Sequence, residues 1–312
     1  MRQLLSIPPK IIINLYQILS AGNRKSVGGQ AVIEGVMMRS PRRWSVAVRG
    51  PDNKIYTKTE NLNRPVWLFR LPLIRGSVAL IQSIRLGIKA IEFSASKAIE
   101  EDEQISGFGM FLTIALSSVV AIAVFIFLPL YLTRLLSEVL HTIGNSNILF
   151  NLTDGLFRVI IFIAYVFLIG LWPEMKRIFQ YHGAEHKSIH AYEKTGVLEP
   201  EEVLKNYSPL HPRCGTSFLL IVMVTSILVF SFIPEEWSVL YKFLARVALI
   251  PLIAGVSYEI LKYSAKGSSR ALLRPFVLPG LWLQRLTTKE PTLDQVEVAI
   301  TALKEATADG DA

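Results

Sequence analysis

A single cysteine, Cys214, in 312 residues excludes an intrachain disulfide, so no oxidative cross-link stabilises the fold, and a lone thiol suits a reducing compartment. Histidine is scarce too, with five in the chain. Charged residues make up only 19%, below the ~25% of ordinary soluble domains. The G-x-G-x-x-G spacing is absent, so Gly28, Gly29 and Gly35 read as turn glycines and a dinucleotide fingerprint is excluded. There is no internal repeat.

What is plentiful is apolar: 51% hydrophobic residues and a mean hydropathy of +0.39 point to a membrane protein. Four stretches, near 108–132, 156–172, 216–233 and 240–261, approach or exceed the length a transmembrane helix needs, the last with Pro251 as a kink. Arg158 and Arg246, near the ends of their runs, are expected to snorkel to water without a special role. The expected fold is an α-helical polytopic membrane protein with four transmembrane helices, a small N-terminal β unit and interfacial amphipathic helices.

The net charge of +8 raises nucleic acid as a partner, but basic residues beside apolar spans set topology or meet anionic lipid, and nucleic acid ranks low. Sixteen of the 33 Lys and Arg precede the first span, six lie between Glu174 and Arg213, and seven follow the fourth. The two remaining connections carry only Arg134. That asymmetry predicts a multi-pass protein of the cytoplasmic membrane with both termini cytoplasmic.

In chain order, residues 1–25 form a basic, proline-bearing interfacial segment, preferred over a signal peptide. Residues 26–65 alternate like strands, with Gly50-Pro51-Asp52-Asn53 as a hairpin turn and Glu34 as an outward-facing strand residue in preference to a catalytic one. Residues 66–106 form an amphipathic helical segment, broken near Pro72 and Gly76 and lying on the membrane or against the β unit, then an acidic linker. Residues 107–261 are the four-span domain with a cytoplasmic histidine loop at 174–215. In the C-terminal region, 262–312, residues 274–283 read as a proline-broken interfacial or re-entrant piece, and 292–306 as an amphipathic helix.

The chemistry concentrates in the histidine loop. His182-Gly183-Ala184-Glu185-His186 is an H-x-x-E-H pattern, in which histidines at i and i+4 share a helix face and the glutamate sits alongside. His182 and His186 are the expected metal ligands and Glu185 the catalytic base. A third ligand must come from elsewhere, and His211 and Cys214, in His211-Pro212-Arg213-Cys214-Gly215, are the first choices. His190 and Glu193 share the face but rank lower, because Glu193 lies ~10 Å along the axis from His186. A chance pattern on a solvated juxtamembrane helix is the competing reading. It loses ground because four of five histidines and the only cysteine fall between 182 and 214. Zn2+ or another divalent transition metal is the expected cofactor. Glu259 either orients a ligating histidine or caps toward water with Lys262.

Four separated blocks also resemble one family. Residues 28–39, Tyr181-His182-Gly183-Ala184-Glu185-His186-Lys187, 211–218 and 278–288 are similar to the YqhQ-like family of bacterial membrane proteins, whose function is unknown and which are often described as metal-dependent enzymes. The resemblance implies membrane placement and a metal at His182, Glu185 and His186, with His211 and Cys214 as additions. The expectation is therefore a zinc-dependent membrane hydrolase acting on a peptide or lipid-linked substrate at the cytoplasmic face. The alternative is a non-enzymatic scaffold or assembly factor with a structural metal site. A transporter ranks last, since the spans appear in sequence to lack buried charges of the relay kind. The bilayer is the one definite partner, and a homo-oligomer is left open.

Overall fold

The computed structural model describes residues 27–63, 67–98, 107–211, 214–234, 236–264 and 270–308. The N-terminal interfacial segment, the acidic linker and Pro212-Arg213 lie outside them. Strands β1 (Gly28–Val32), β2 (Gly35–Arg39), β3 (Arg43–Arg49) and β4 (Ile55–Asn61) form an antiparallel meander in sequence order. The β3–β4 hairpin turns at Gly50-Pro51-Asp52-Asn53 as expected, with Gly50 N–H donating to the Lys54 carbonyl at 2.9 Å. Glu34 corrects its reading: it sits in the tight β1–β2 turn at φ 50°, not on a strand.

The helices that follow are α1 (Ile74–Ala98), α2 (Gly107–Val139, through a π-helical turn at Ala123–Phe127), α3 (Asn147–Ile169), α4 (Pro173–Lys194), α5 (Pro200–Asn206), α6 (Gly215–Phe230), α7 (Val239–Ser264), α8 (Arg270–Thr287) and α9 (Leu293–Thr307). Side chains alternate across a strand, and here both sides of the sheet are covered. Met37, Trp44, Val46 and Val48 pack with Leu86 and Ala90 of α1. Val36, Met38 and Ala47 face α4 and α9, where Val296, Ala299, Ile300 and Leu303 complete the larger core. Thr292 and Gln295 form a capping box that starts α9 on the amphipathic pattern.

α1 is continuous: the chain enters it just after Pro72, and Gly76 lies inside. A Cβ there would stand 2.8 Å from Gly255 Cα of α7, so the glycine is explained by close helix contact and not by a break. α8 is also one helix across Pro275 and Pro279. An interior proline costs ~3 kcal/mol. Packing on α6 offsets it, with Gly280 close against Ser217 and Gln284 bonded to Ser217 Oγ at 3.0 Å.

Among the described residues three helices, α2, α3 and Leu240–Tyr263 of α7, are long and apolar enough to cross a membrane. α6, the expected third span, is an apolar helix of 16 residues, about 24 Å against the ~30 Å of a bilayer core. Charge is buried among these helices, contrary to the sequence reading. Asp154 of α3, 2% exposed, pairs with Arg158 at 3.0 Å and with Arg246 of α7 at 3.1 Å. The two arginines are thus held by a shared carboxylate, so the expected lack of buried charge, on which a transporter ranks last, does not hold.

Candidate metal centre

α4 opens with Pro173 at its first helical position, where a missing N–H costs nothing, and runs beneath β1 between the sheet, α5 and α9. Its polar face turns inward. Glu185, His186, Lys187, His190 and Glu193 are all buried, an arrangement that polar groups tolerate only when their hydrogen-bonding capacity is taken up.

The three histidines of α4 are held alike. His182 Nδ1 meets the Thr287 carbonyl at 2.8 Å, His186 Nδ1 meets that of Pro209, and His190 Nδ1 meets that of Ser208 at 2.9 Å. A carbonyl only accepts, so each Nδ1 carries the hydrogen and each Nε2 is turned inward. This is the outer contact that fixes the tautomer of metal-ligating imidazoles. The rings of His182 and His186 lie 4.4 Å apart, one helical turn along the axis.

Cys214 completes the group. It caps the N-terminus of α6, its Sγ accepting from Thr216 N–H at 3.4 Å, and lies 3.2 Å from His182 Nε2. Ligand atoms of His182, His186 and Cys214 all fall within 4.8 Å of one another. His186 Nε2 is buried with no hydrogen-bond partner, and two imidazoles with a thiolate suit a zinc-class ion. Burial alone would push the Cys214 thiol up, but His186 and His182 beside it hold it well below the usual value. Burial would likewise lower His182, yet the Cys214 thiolate beside it keeps it raised, to about 9. The proton shared between these two groups is the one a cation displaces.

Glu185 lies alongside, fully enclosed, and burial raises its affinity for a proton. Gly29 N–H donates to its carboxylate, while Oε2 has no hydrogen-bond partner. The absence of a side chain at Gly29 allows this approach, because a Cβ would stand 2.9 Å from Glu185 Cγ and Cδ.

The remaining sequence candidates fall elsewhere. His211 joins His190 and Glu193, its Nε2 3.4 Å from Glu193 Oε2 and its ring 4.7 Å from that of His190 and 5.7 Å from that of His186. Glu34 is bound by Arg177 and by the Tyr181 hydroxyl, which donates at 3.2 Å, so it serves the β1–α4 contact. The ion pair raises Arg177, and burial raises Tyr181. Glu259 receives Arg75 Nε at 2.6 Å, tying α7 to α1 well away from the histidines.

Gln284, fully buried, escaped the sequence reading. Its Oε1 accepts from His211 N–H at 2.8 Å and its Nε2 donates to the His211 carbonyl at 2.7 Å, so α8 pins the loop that carries His211. Lys187 does similar service, donating to the Leu204 carbonyl at 2.6 Å and pairing with Glu290. Neither role has a local signal, since each partner lies on a different element.

The profile of the family described as Protein of unknown function (DUF1385) matches residues 71–309, which hold every histidine and Cys214. A curated relative, Uncharacterized protein YqhQ of Bacillus subtilis (strain 168), is 34% identical over 295 residues, 89% of this chain and 91% of that protein. No solved structure matches.

Proposed function

The chain belongs to the DUF1385 family of proteins of unknown function, and we propose that it is a metal-dependent membrane enzyme, a hydrolase working on a peptide or lipid-linked substrate at the cytoplasmic face. The observation that carries this reading is the convergence of His182, His186 and Cys214 within 4.8 Å beside a buried carboxylate. Three protein ligands are the usual complement of a catalytic zinc site, which keeps one position for substrate or water.

His182, His186 and Cys214 would hold the ion, which when bound supplies Lewis acidity to a carbonyl or phosphoryl oxygen. Thr287 and Pro209 keep the two imidazoles in the ligating tautomer through Nδ1. Glu185 holds or accepts a proton at Oε2, and its enclosed setting matches its proton affinity to that work. Gly29 N–H orients that carboxylate.

Metal content of the purified full-length protein tests the reading, with Glu185→Gln scored in parallel for complementation of a deletion strain. One ion fewer per chain in His182→Ala or Cys214→Ser than in the wild type, and an undiminished content with lost complementation in Glu185→Gln, are expected. Absence of metal in the wild type overturns it. Full complementation by Glu185→Gln would favour the scaffold reading, which the deep burial of the centre supports.

The charge asymmetry supports four spans, with α6 as the third, and cytoplasmic termini. Cys214 is buried, so single introduced cysteines report sidedness. Asn145→Cys is expected to react with a membrane-impermeant maleimide in intact cells, and Glu201→Cys only after permeabilisation. The reverse pattern overturns the orientation.

A further inference from the structure

Beyond the Cys214 centre, α4 carries a second set of ligand-type side chains. His190 is presented as His186 is: Nδ1 donates to a backbone carbonyl, and Nε2 is buried with no hydrogen-bond partner. Nothing in the Cys214 centre uses that nitrogen. Facing it are His211, whose ring centroid is 4.7 Å away, and Glu193, whose Oε2 lies 3.4 Å from His211 Nε2. All three side chains are at least nine-tenths buried.

We propose that His190, His211 and Glu193 form a second cation site, next to the first and separate from it in its ligands, for a divalent first-row metal that accepts two imidazoles and one carboxylate. Two features converge on it. The set offers two imidazole nitrogens and one carboxylate oxygen, the combination that zinc- and iron-class ions take. Two members are tethered from outside, His190 by Ser208 and His211 through the two backbone bonds of Gln284.

The second set is drawn together less tightly than the first, which alone among the described residues brings three ligand atoms within 4.8 Å. Rotation of the His211 ring about its terminal torsion, a soft one, would close it around an ion while the Ser208 bond keeps the His190 ring in place. The 5.7 Å between the His186 and His211 rings makes the two sites neighbours along one helix face. The inference rests on α4 being a metal-binding helix and is independent of hydrolysis.

Cobalt separates the two sites, because only the one containing Cys214 gives a thiolate-to-cobalt charge-transfer band. The untagged full-length protein in detergent, loaded with Co2+ and desalted, is expected to retain two ions per chain and to show the band. His190→Ala retains one ion with the band intact, and Glu193→Gln binds its second ion about tenfold or more weakly. Cys214→Ser retains one ion without the band. A wild type that holds a single ion with the band overturns the second site and leaves the first standing. Two ions retained at unchanged affinity in both His190→Ala and Glu193→Gln overturn it as well, as does loss of the band together with the second ion in both variants. A wild type that binds no cobalt overturns both sites.

Discussion

Gly183, inside the H-x-x-E-H pattern, is where a single methyl group should do most harm. Replacing a helical glycine with alanine ordinarily stabilises by up to ~1 kcal/mol. Here a Cβ would overlap the Lys289 carbonyl oxygen and stand 3.2 Å from its carbon and 3.4 Å from Pro291 Cδ. The obstacle is backbone, so the 289–291 connection must move away from α4. That connection is held by Lys289 N–H donating to the Phe179 carbonyl at 2.9 Å and by the Lys187–Glu290 pair, both of which the shift strains. Overpacking costs about 1–3 kcal/mol and a lost buried hydrogen bond about 1 kcal/mol, so after the helix gain Gly183→Ala should lose roughly 1–3 kcal/mol. Gly215→Ala is the matched control, since a Cβ there meets nothing within 4 Å. Urea unfolding in mild detergent, followed by tryptophan fluorescence, measures both, and metal content should fall only in Gly183→Ala. If the two variants unfold at the same midpoint with equal metal, the packing of α4 against the 289–291 connection is not as described.

Three further outcomes follow from the same contacts. Asp154→Ala leaves the half-buried Arg158 and the buried Arg246 without their carboxylate and should destabilise by about 3–5 kcal/mol, read as a lowered melting temperature in detergent; an unchanged value would place the two arginines in water. Burial raises the folded-state proton affinity of Glu185, so its stabilising protonated form is present at acid pH and lost as pH rises through the raised value. Metal-free Glu185→Gln should therefore melt above metal-free wild type at pH 8, with the difference vanishing below about pH 4, and a pH-independent difference would contradict the burial. Gln284→Ala removes the two bonds to the His211 backbone and that to Ser217, a loss of about 1–3 kcal/mol, and should increase hydrogen exchange in the 208–211 loop before it changes that of α9.

Much of this architecture is legible where the signal is local. The β3–β4 turn, the amphipathic α9 and the apolar α2, α3 and α7 follow from turn chemistry, period and hydropathy. His182 and His186 meet because i and i+4 share a helix face, and Cys214, the one thiol in the chain, is the natural soft partner for them. The failures arise where a distant partner decides. Glu34 sits at positive φ, a conformation that a non-glycine residue does not announce, and Arg177 holds it from 143 positions away. Asp154 and Arg246 are 92 positions apart, so each looks like an isolated charge near a helix end. Pro275 and Pro279 read as breakers because the α6 surface that holds α8 together is invisible to a window of ten residues. His211 lies next to Cys214 in sequence, yet Gln284 and Glu193 turn it toward His190, an orientation set by residues on other parts of the chain.

The sheet is sealed by a helix made very late. Ser45 Oγ reaches the Ala302 carbonyl across 257 positions, and α9 covers β2 and β3 beside α4, which covers β1 and β2. At ~5–20 residues per second, ribosomes need on the order of ten to fifty seconds to travel from β3 to α9. For that interval Val36, Met38 and Ala47 lack the cover of α9. Assembly of the histidine helix into its final setting is thus timed by the synthesis of α9: until that helix docks, the side chains and carbonyls that would hold the centre are not yet gathered, and a nascent chain stalled before residue 293 should remain open to protease at its strands.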